Sequence, residues 1–353
     1  MKIKQLSILG SLLMVVVLVS LLVFAGCQPA APAKVYEWKI QSLWPRGDLS
    51  MLALPDFAAN VEQRSNGRLK LAVFAEPEIV PADQLFQAVG TGTIEIAQGG
   101  GFWAMILPVA DVEFGLAQMW STSSGETFEE GAVRQRDFFF EGGFVDVLRP
   151  EYAKNNLYYL DLHTYGPSCC LVTKPVGTQA DLKGLKLADT GGYQSVWHEM
   201  LGWAPSPGFA GADVYMALKL GTLDACMWDL SAITGLHWNE VAPNWVSNEG
   251  FTDYATGNMI VNLDAWNELP DDLKGVLEDA AKDYWQDTVD IYGQQLAIVR
   301  QMLTDGTLNE SVMDAAYLQA AQAAAIEVWD MAAEADPASA EAIALIKEWK
   351  GIQ

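Results

Sequence analysis

The stretch FQAVGTGTIE at residues 86–95 returns, with matching chemistry at matching places, as YMALKLGTLD at residues 215–224. In each copy an aromatic residue opens an apolar run. A glycine stops it (Gly92, Gly221), a threonine follows, and an aliphatic residue precedes an acid (Glu95, Asp224). Glycine is the usual residue just past a helix end, because it adopts the left-handed conformation without a steric cost. Each copy therefore reads as a helix passed through a tight turn into a strand. A chain that uses this unit twice predicts two lobes of like construction.

Outward from these copies, helical and extended patterns alternate. Residues 36–43 read as a strand, and WPRGD at 44–48 as the turn leaving it. Residues 49–64 are apolar at helical spacing and stop at Asn66-Gly67, a helix terminator. Residues 68–74 alternate as a strand, 83–89 form a short helix, and 93–97 a buried strand. Such alternation predicts α/β architecture with mixed sheets. Residues 271–304 contain no proline and carry Leu273, Leu277, Ala280, Tyr284, Val289, Tyr292, Leu296 and Val299 at helical intervals. At the rise of an α-helix they would reach about 50 Å. That exceeds one small lobe, so the helix is expected to span both, with Gly293 as a place to bend. Residues 315–335 and 340–349 read as further helices. Lobe 1 is expected to comprise residues 36–155 and 250–283, and lobe 2 residues 156–249 and 284–350.

The N-terminus is a separate device. Lys2 and Lys4 precede an uncharged run over residues 6–26 that stops at Phe24-Ala25-Gly26-Cys27. Charge, apolar core and small residues in that order mark a secretory signal. The cysteine after the small residues predicts cleavage before Cys27 and lipidation of its thiol, with residues 28–35 as a Pro/Ala tether. The alternative is an uncleaved anchor, since the run is long enough to span a bilayer. Both readings hold the remainder outside the cytoplasm, at the membrane surface.

Of the 353 residues 51% are hydrophobic and 19% charged, the balance of a globular protein. A formal charge of −24 repels nucleic acid and anionic head groups, so no nucleic-acid partner is expected. The sign of a ligand is left to a few local groups. Cys169, Cys170 and Cys226 read as buried thiols, with a bridge from Cys226 to one of its neighbours as the alternative. His163, His198 and His237 are isolated, and no nucleophile elbow, HExxH or phosphate loop is present. These absences favour binding over catalysis, and no enzyme activity is expected.

The segments KPVGTQADLKGLKL (174–187) and GADVYMALKLGTLDA (211–225) resemble the solute receptors of tripartite ATP-independent periplasmic (TRAP) transporters. NGRLKLAVFAEPEIVPADQLFQAVGTGTIEIA (66–97) and NMIVNLDAWNELPDDLKGVLEDAAKDYW (258–285) are similar to the same family. The resemblance implies a two-lobed α/β fold of the type II periplasmic-binding-protein kind, with mixed sheets and a long lobe-spanning helix. It implies capture of a small solute between the lobes and delivery to membrane permease subunits. The branch it looks like takes 2-oxo and 2-hydroxy monocarboxylates, some held through a metal ion. Two departures stand out. The family's carboxylate-gripping arginine, after LKGLK, is replaced by Ala188 or Asp189, depending on the alignment. The branch's Glu-Trp metal pair is Met227-Trp228 here, followed by Asp229, and its glutamine falls at Pro167.

The candidate site residues follow. Arg46, after the first strand, could replace the missing anchor, or could be a solvated loop arginine. Asp189 and Asp229 could accept from an amine, amide or hydroxyl, or could be turn and cap carboxylates. Trp44, Phe102, Trp103, Tyr165 and Trp228 could wall a cleft or belong to the lobe cores. A ligand-bridging metal would need Asp229 and Asp253, with Glu249 an alternative; no other cofactor is expected. The default ligand is a small carboxylate. An amine-bearing or neutral solute is the alternative, and a sensory receptor feeding a signalling partner is the rival role.

Overall fold

The computed structural model describes residues 34–352, without 101, 122–125, 210 and 248–253 and without the side chains at 102, 105, 211 and 212. Cys27, the signal segment, Glu249 and Asp253 lie outside the described residues. The strands in chain order are β1 (Tyr36–Ser42), β2 (Leu69–Phe74), β3 (Ile96–Gly99), β4 (Leu157–Thr164), β5 (Cys169–Val172), β6 (Lys186–Ala188), β7 (Ala204–Pro205), β8 (Ala225–Trp228), β9 (Asn244–Val246), β10 (Thr256–Asn262) and β11 (Asn309–Ser311). They form two mixed sheets, ordered β2-β1-β3-β10-β4 and β11-β9-β5-β8-β6-β7. Helices cover both, as the alternating pattern predicts.

The repeated motif has one structure in both sheets. After the helix Ala82–Gly90, Gly92 takes φ +74° and the N–H groups of Gly92, Thr93 and Ile94 donate to Val89, Ala88 and Ala88. After the helix Gly211–Lys219, Gly221 takes φ +71° and Gly221, Thr222 and Leu223 donate to Leu218, Ala217 and Ala217. The acids match too. Glu95 accepts from the Lys39 N–H of β1 at 2.7 Å, and Asp224 from the Lys186 N–H of β6 at 3.0 Å. Each acid thus ties the new strand to its parallel neighbour, β3 to β1 and β8 to β6.

Three segments cross between the sheets. β4 leads through residues 165–168 to β5, and β9 leads back to β10. β4 is thus a strand of the first sheet, although the sequence reading assigned residues from 156 onward to lobe 2. The two returning chains hydrogen-bond each other, Tyr165 N–H to Ala255 O at 2.8 Å and Ala255 N–H to Gly166 O at 3.3 Å. The third crossing is the helix Asp271–Thr304, as long as its sequence pattern predicts. Its buried face runs from Leu273 through Tyr284, Trp285, Thr288 and Tyr292 to Val299. Glycine is required where the first crossover passes over this helix. Gly166 has φ +69°, and a Cβ there would come within 2.4 Å of the Tyr292 ring. Gly293 serves as a docking point: a Cβ on it would meet Glu129 Oε1 at 2.7 Å, and Phe128 is also adjacent.

Local chemistry explains two departures from the expected boundaries. The helix predicted over 49–64 is a 3-10 turn, Leu49–Met51, followed by the helix Leu54–Arg64. Pro55, which lacks an N–H, sits in the first turn of the second piece, where no donor is needed. β3 begins at Ile96 instead of residue 93 because Thr93 and Ile94 are spent closing the preceding helix. Cys169, Cys170 and Cys226 are buried, and burial pushes the thiol of Cys226 up to about 12. Among the described residues no helix is long and apolar enough to cross a membrane.

The first core encloses a polar knot. Glu113 accepts from Tyr152 Oη at 2.5 Å and from Asn258 Nδ2 at 2.8 Å, while Trp103 Nε1 donates to Asn258 Oδ1 at 3.0 Å. Burial pushes the Glu113 carboxyl up to about 7, against the opposing pull of these bonds. The folded form therefore holds this proton more tightly than the unfolded chain. The stabilisation is full below the unfolded value of about 4.5 and is lost as pH rises through about 7. Compared with Glu113→Gln, the parent should lose on the order of 3 kcal/mol between pH 4 and pH 8. Urea melts of both proteins at the two pH values test this; parallel losses would contradict it.

Candidate functional site

The carboxyl ends of β1 and β8 face each other, the edge at which open α/β sheets place ligands. Trp44 follows β1, and Trp228 ends β8. Their rings meet at 70° with centroids 6.3 Å apart. Tyr165, from the first crossover, stands edge-on to Trp44 at 5.7 Å and accepts its indole N–H at 2.9 Å. Tyr165 in turn donates to the carbonyl of Gly99 at the end of β3, at 3.0 Å. Trp238 packs on Trp228 at 5.3 Å, and Phe114 approaches Tyr165 at 6.4 Å. Trp44 and Trp228 are half-buried, whereas Tyr165 and Trp238 are buried behind them. The result is a seam of aromatic rings between the two sheets, held by hydrogen bonds at its back.

Two carboxylates enter this seam. Asp229 follows Trp228 directly. Its Oδ1 accepts from the N–H of Ser231 at 2.7 Å and from the Ser231 hydroxyl, and its Oδ2 accepts from Tyr292 Oη at 2.8 Å. Asp48 caps the 3-10 turn after β1, its Oδ1 accepting from the N–H and hydroxyl of Ser50 at 2.9 and 2.7 Å. Burial, then the negative charge of Asp48, pushes the Asp229 carboxyl up to about 6. Burial raises Asp48 as well, against its bonds to Ser50. A third acid, Asp111, shares a helix face with Phe114 and is pushed up to about 6 by burial. Its Oδ2 lies 3.7 Å from where a Cβ on Gly192 would stand, at the start of the helix Gly192–Met200. Among the described residues no arginine or lysine pairs with Asp48, Asp111 or Asp229.

Of the residues nominated from sequence, the structure brings together Trp44, Tyr165, Trp228 and Asp229. Trp103 is elsewhere, 1% exposed against Phe86 and bonded to Asn258 in the first core. Phe102 begins a 3-10 turn, and its side chain lies outside the described residues. Asp253 lies outside them as well. Arg46 is 61% exposed and clasps Glu78 through Nε and Nη2 at 2.6 and 2.7 Å. Asp189 is fully enclosed. It accepts from the Gly191 N–H at 3.1 Å and the Ser195 hydroxyl at 2.8 Å, and pairs with His198 Nδ1 at 2.7 Å. Burial lowers the His198 pKa, and Asp189 restores it only in part. Asp189 is thus committed to its own loop and helix. Asp48, Trp238 and Tyr292 were not nominated. An Asp-x-Ser turn reads as a cap, which Asp48 indeed is, and two tyrosines in a periodic helix read as core. Among the described residues no three His, Cys, Asp or Glu side chains gather closely enough to hold a metal ion.

Residues 40–336 match the DctP family, described as bacterial extracellular solute-binding protein, family 7. A monocarboxylate 2-oxoacid-binding periplasmic protein of Nostoc sp. is 23% identical over 320 residues, covering 90% of this chain and 84% of that protein. A TRAP periplasmic solute-binding protein of Colwellia psychrerythraea, solved with bound calcium and pyruvate, superposes with TM-score 0.78 at 22% identity, covering 90% of this chain and 95% of that one. Another, from Chromohalobacter salexigens with bound (S)-(+)-2-amino-1-propanol, superposes with TM-score 0.76 at 20% identity, covering 91% and 96%.

Two substitutions separate structural from ligand-facing groups. Asp189→Ala should destabilise the fold by about 2 kcal/mol, because His198 and Ser195 lose a buried partner. Arg46→Ala should leave ligand affinity within about twofold, because an exposed ion pair contributes little. Chemical melts and calorimetric titrations of the two variants measure both effects. Loss of binding in Arg46→Ala would return that residue to the site.

Proposed function

This chain belongs to the DctP family of bacterial extracellular solute-binding proteins, and we propose that it captures a small organic solute between two lobes and delivers it to a TRAP-type permease. Family membership makes it a solute-binding receptor acting outside the cytoplasm, not an enzyme. The observation that carries the proposal is the meeting of Trp44 and Trp228 from opposite sheets. A solute entering there would replace ring–ring contact with ring–solute contact on both sides. Closure would then exclude water and strengthen each polar contact. In this reading the first lobe is built on β1–β4 and β10 and the second on β5–β9 and β11, with the first crossover, residues 165–168, as a hinge. The signal segment and a lipidated Cys27 would tether the receptor at the membrane, beside its permease.

The related Nostoc protein is named as binding monocarboxylate 2-oxoacids. The calcium found with pyruvate in the Colwellia protein raises the question of a bridging metal here. The described residues do not fit one. Both oxygens of Asp229 already accept hydrogen bonds, and a methionine, Met227, precedes Trp228. Calcium takes about 6–8 oxygen ligands, and a thioether is a poor donor to it. No step of capture is therefore assigned to a metal.

Native mass spectrometry of the full chain, incubated with organic acids, amines and neutral solutes, tests the receptor reading. One unmodified solute molecule per chain is expected. Release of a chemically altered product would contradict it. For the tether, Cys27→Ser should free the protein from the membrane fraction, and retention there would favour the uncleaved anchor.

A further inference from the structure

We propose that the solute this receptor captures carries an ammonium group, seated between Trp44 and Trp228 with Asp48 and Asp229 as its counter-charges. The inference rests on the receptor reading and names the chemical class of the ligand.

Three observations converge on it. The seam between the sheets consists of indole and phenol rings, whose faces attract cations through their quadrupoles. Its charged groups are both acidic, and they come from opposite sheets: Asp48 follows β1 and Asp229 follows β8. Each raises the cost of ionising the other, so a cation between them relieves a repulsion already built into the site. A carboxylate ligand would add a third negative charge to the same space. The arginine on which a carboxylate reading depended, Arg46, is turned outward to Glu78.

Hydrogen-bond capacity gives the head group its place. Among the described residues the donors to Asp48, the N–H and hydroxyl of Ser50, both reach Oδ1, so Oδ2 keeps its capacity to accept. Asp229 is held from both sides, by Ser231 and by Tyr292, so its carboxylate is fixed in direction. An ammonium has three donors on a compact charge. Asp48 Oδ2 would take one, and the fixed charge of Asp229 would sit opposite. The indole rings would cover the carbons next to the nitrogen. A small aliphatic amine, amino alcohol or diamine meets these requirements.

Calorimetric titration of the full-length protein with matched pairs tests the class: 2-aminoethanol against glycolate, and 1,4-diaminobutane against succinate. At least one amine should bind one-to-one while its matched acid does not. Asp48→Asn should weaken that binding at least tenfold. Asparagine is as good a helix cap as aspartate, so this variant keeps its fold, and its thermal melt verifies that. Trp228→Ala should weaken binding as well. Binding of an acid in preference to its matched amine would overturn the ammonium class and leave the receptor reading standing. Unchanged amine affinity in Asp48→Asn would overturn the placement of the head group and the proposal with it. Absence of binding by both amines would overturn the ammonium class; the receptor reading falls only if no acid, amine or neutral solute binds.

Discussion

Two tyrosines on one helix hold the two halves of the site. Tyr284 donates to the carbonyl of Ser50 at 2.7 Å, fixing the turn that carries Asp48. Tyr292 donates to Asp229 at 2.8 Å, fixing the end of β8. The two residues lie about two turns apart on Asp271–Thr304, a separation of about 12 Å along the axis. One rigid element therefore meters the distance between loops that belong to different sheets. Gly166 is the corollary: the crossover can pass over Tyr292 only where no side chain intervenes. A helix confined to one lobe would leave Asp48 and Asp229 without a common reference.

Around that helix the molecule repeats a single solution. A helix is ended by Gly92 or Gly221, and an acid pins the emerging strand to its parallel neighbour. The strands so aligned are β1 beside β3 and β6 beside β8, and β1 and β8 lead to Trp44 and Trp228. Their hydrogen bonds are made within each sheet. Between the halves, contacts at the seam are of another kind: aromatic edges, hydroxyl-to-carboxylate bonds and the approach of Asp111 to Gly192. Such contacts can be exchanged for contacts to a solute without unfolding either half. Buried ladders resist change, whereas a half-buried aromatic seam does not.

Much of this was legible in the sequence where the signal was local. The repeated turn, the long periodic helix and the mixed sheets follow from spacing alone, because helix ends and apolar stripes are set by neighbours along the chain. That Trp44, Tyr165 and Trp228 stand at strand ends or crossovers was legible from the alternating pattern, and the resemblance singled out Trp228 and Asp229. The sequence leaves alternatives open where the deciding partner is distant. Glu78, which takes Arg46 out of the seam, is reached only after an intervening helix and strand. Asp189 reads as either a ligand contact or a turn carboxylate, and its bonds to His198 and Ser195, folded back onto it by a turn and a helix, make it the latter. Trp103 pointed into the first core because Asn258, far along the chain, accepts its indole N–H. Asp48 was overlooked for the opposite reason: its capping role is local and complete, and nothing in the sequence indicates that a second oxygen is left to serve a ligand.

Small-angle X-ray scattering of the full-length protein, with and without a saturating ligand chosen by calorimetry, tests the hinged capture most directly. The radius of gyration should fall on binding as the halves settle on the solute and on each other. Superimposable curves from free and fully occupied protein would contradict it.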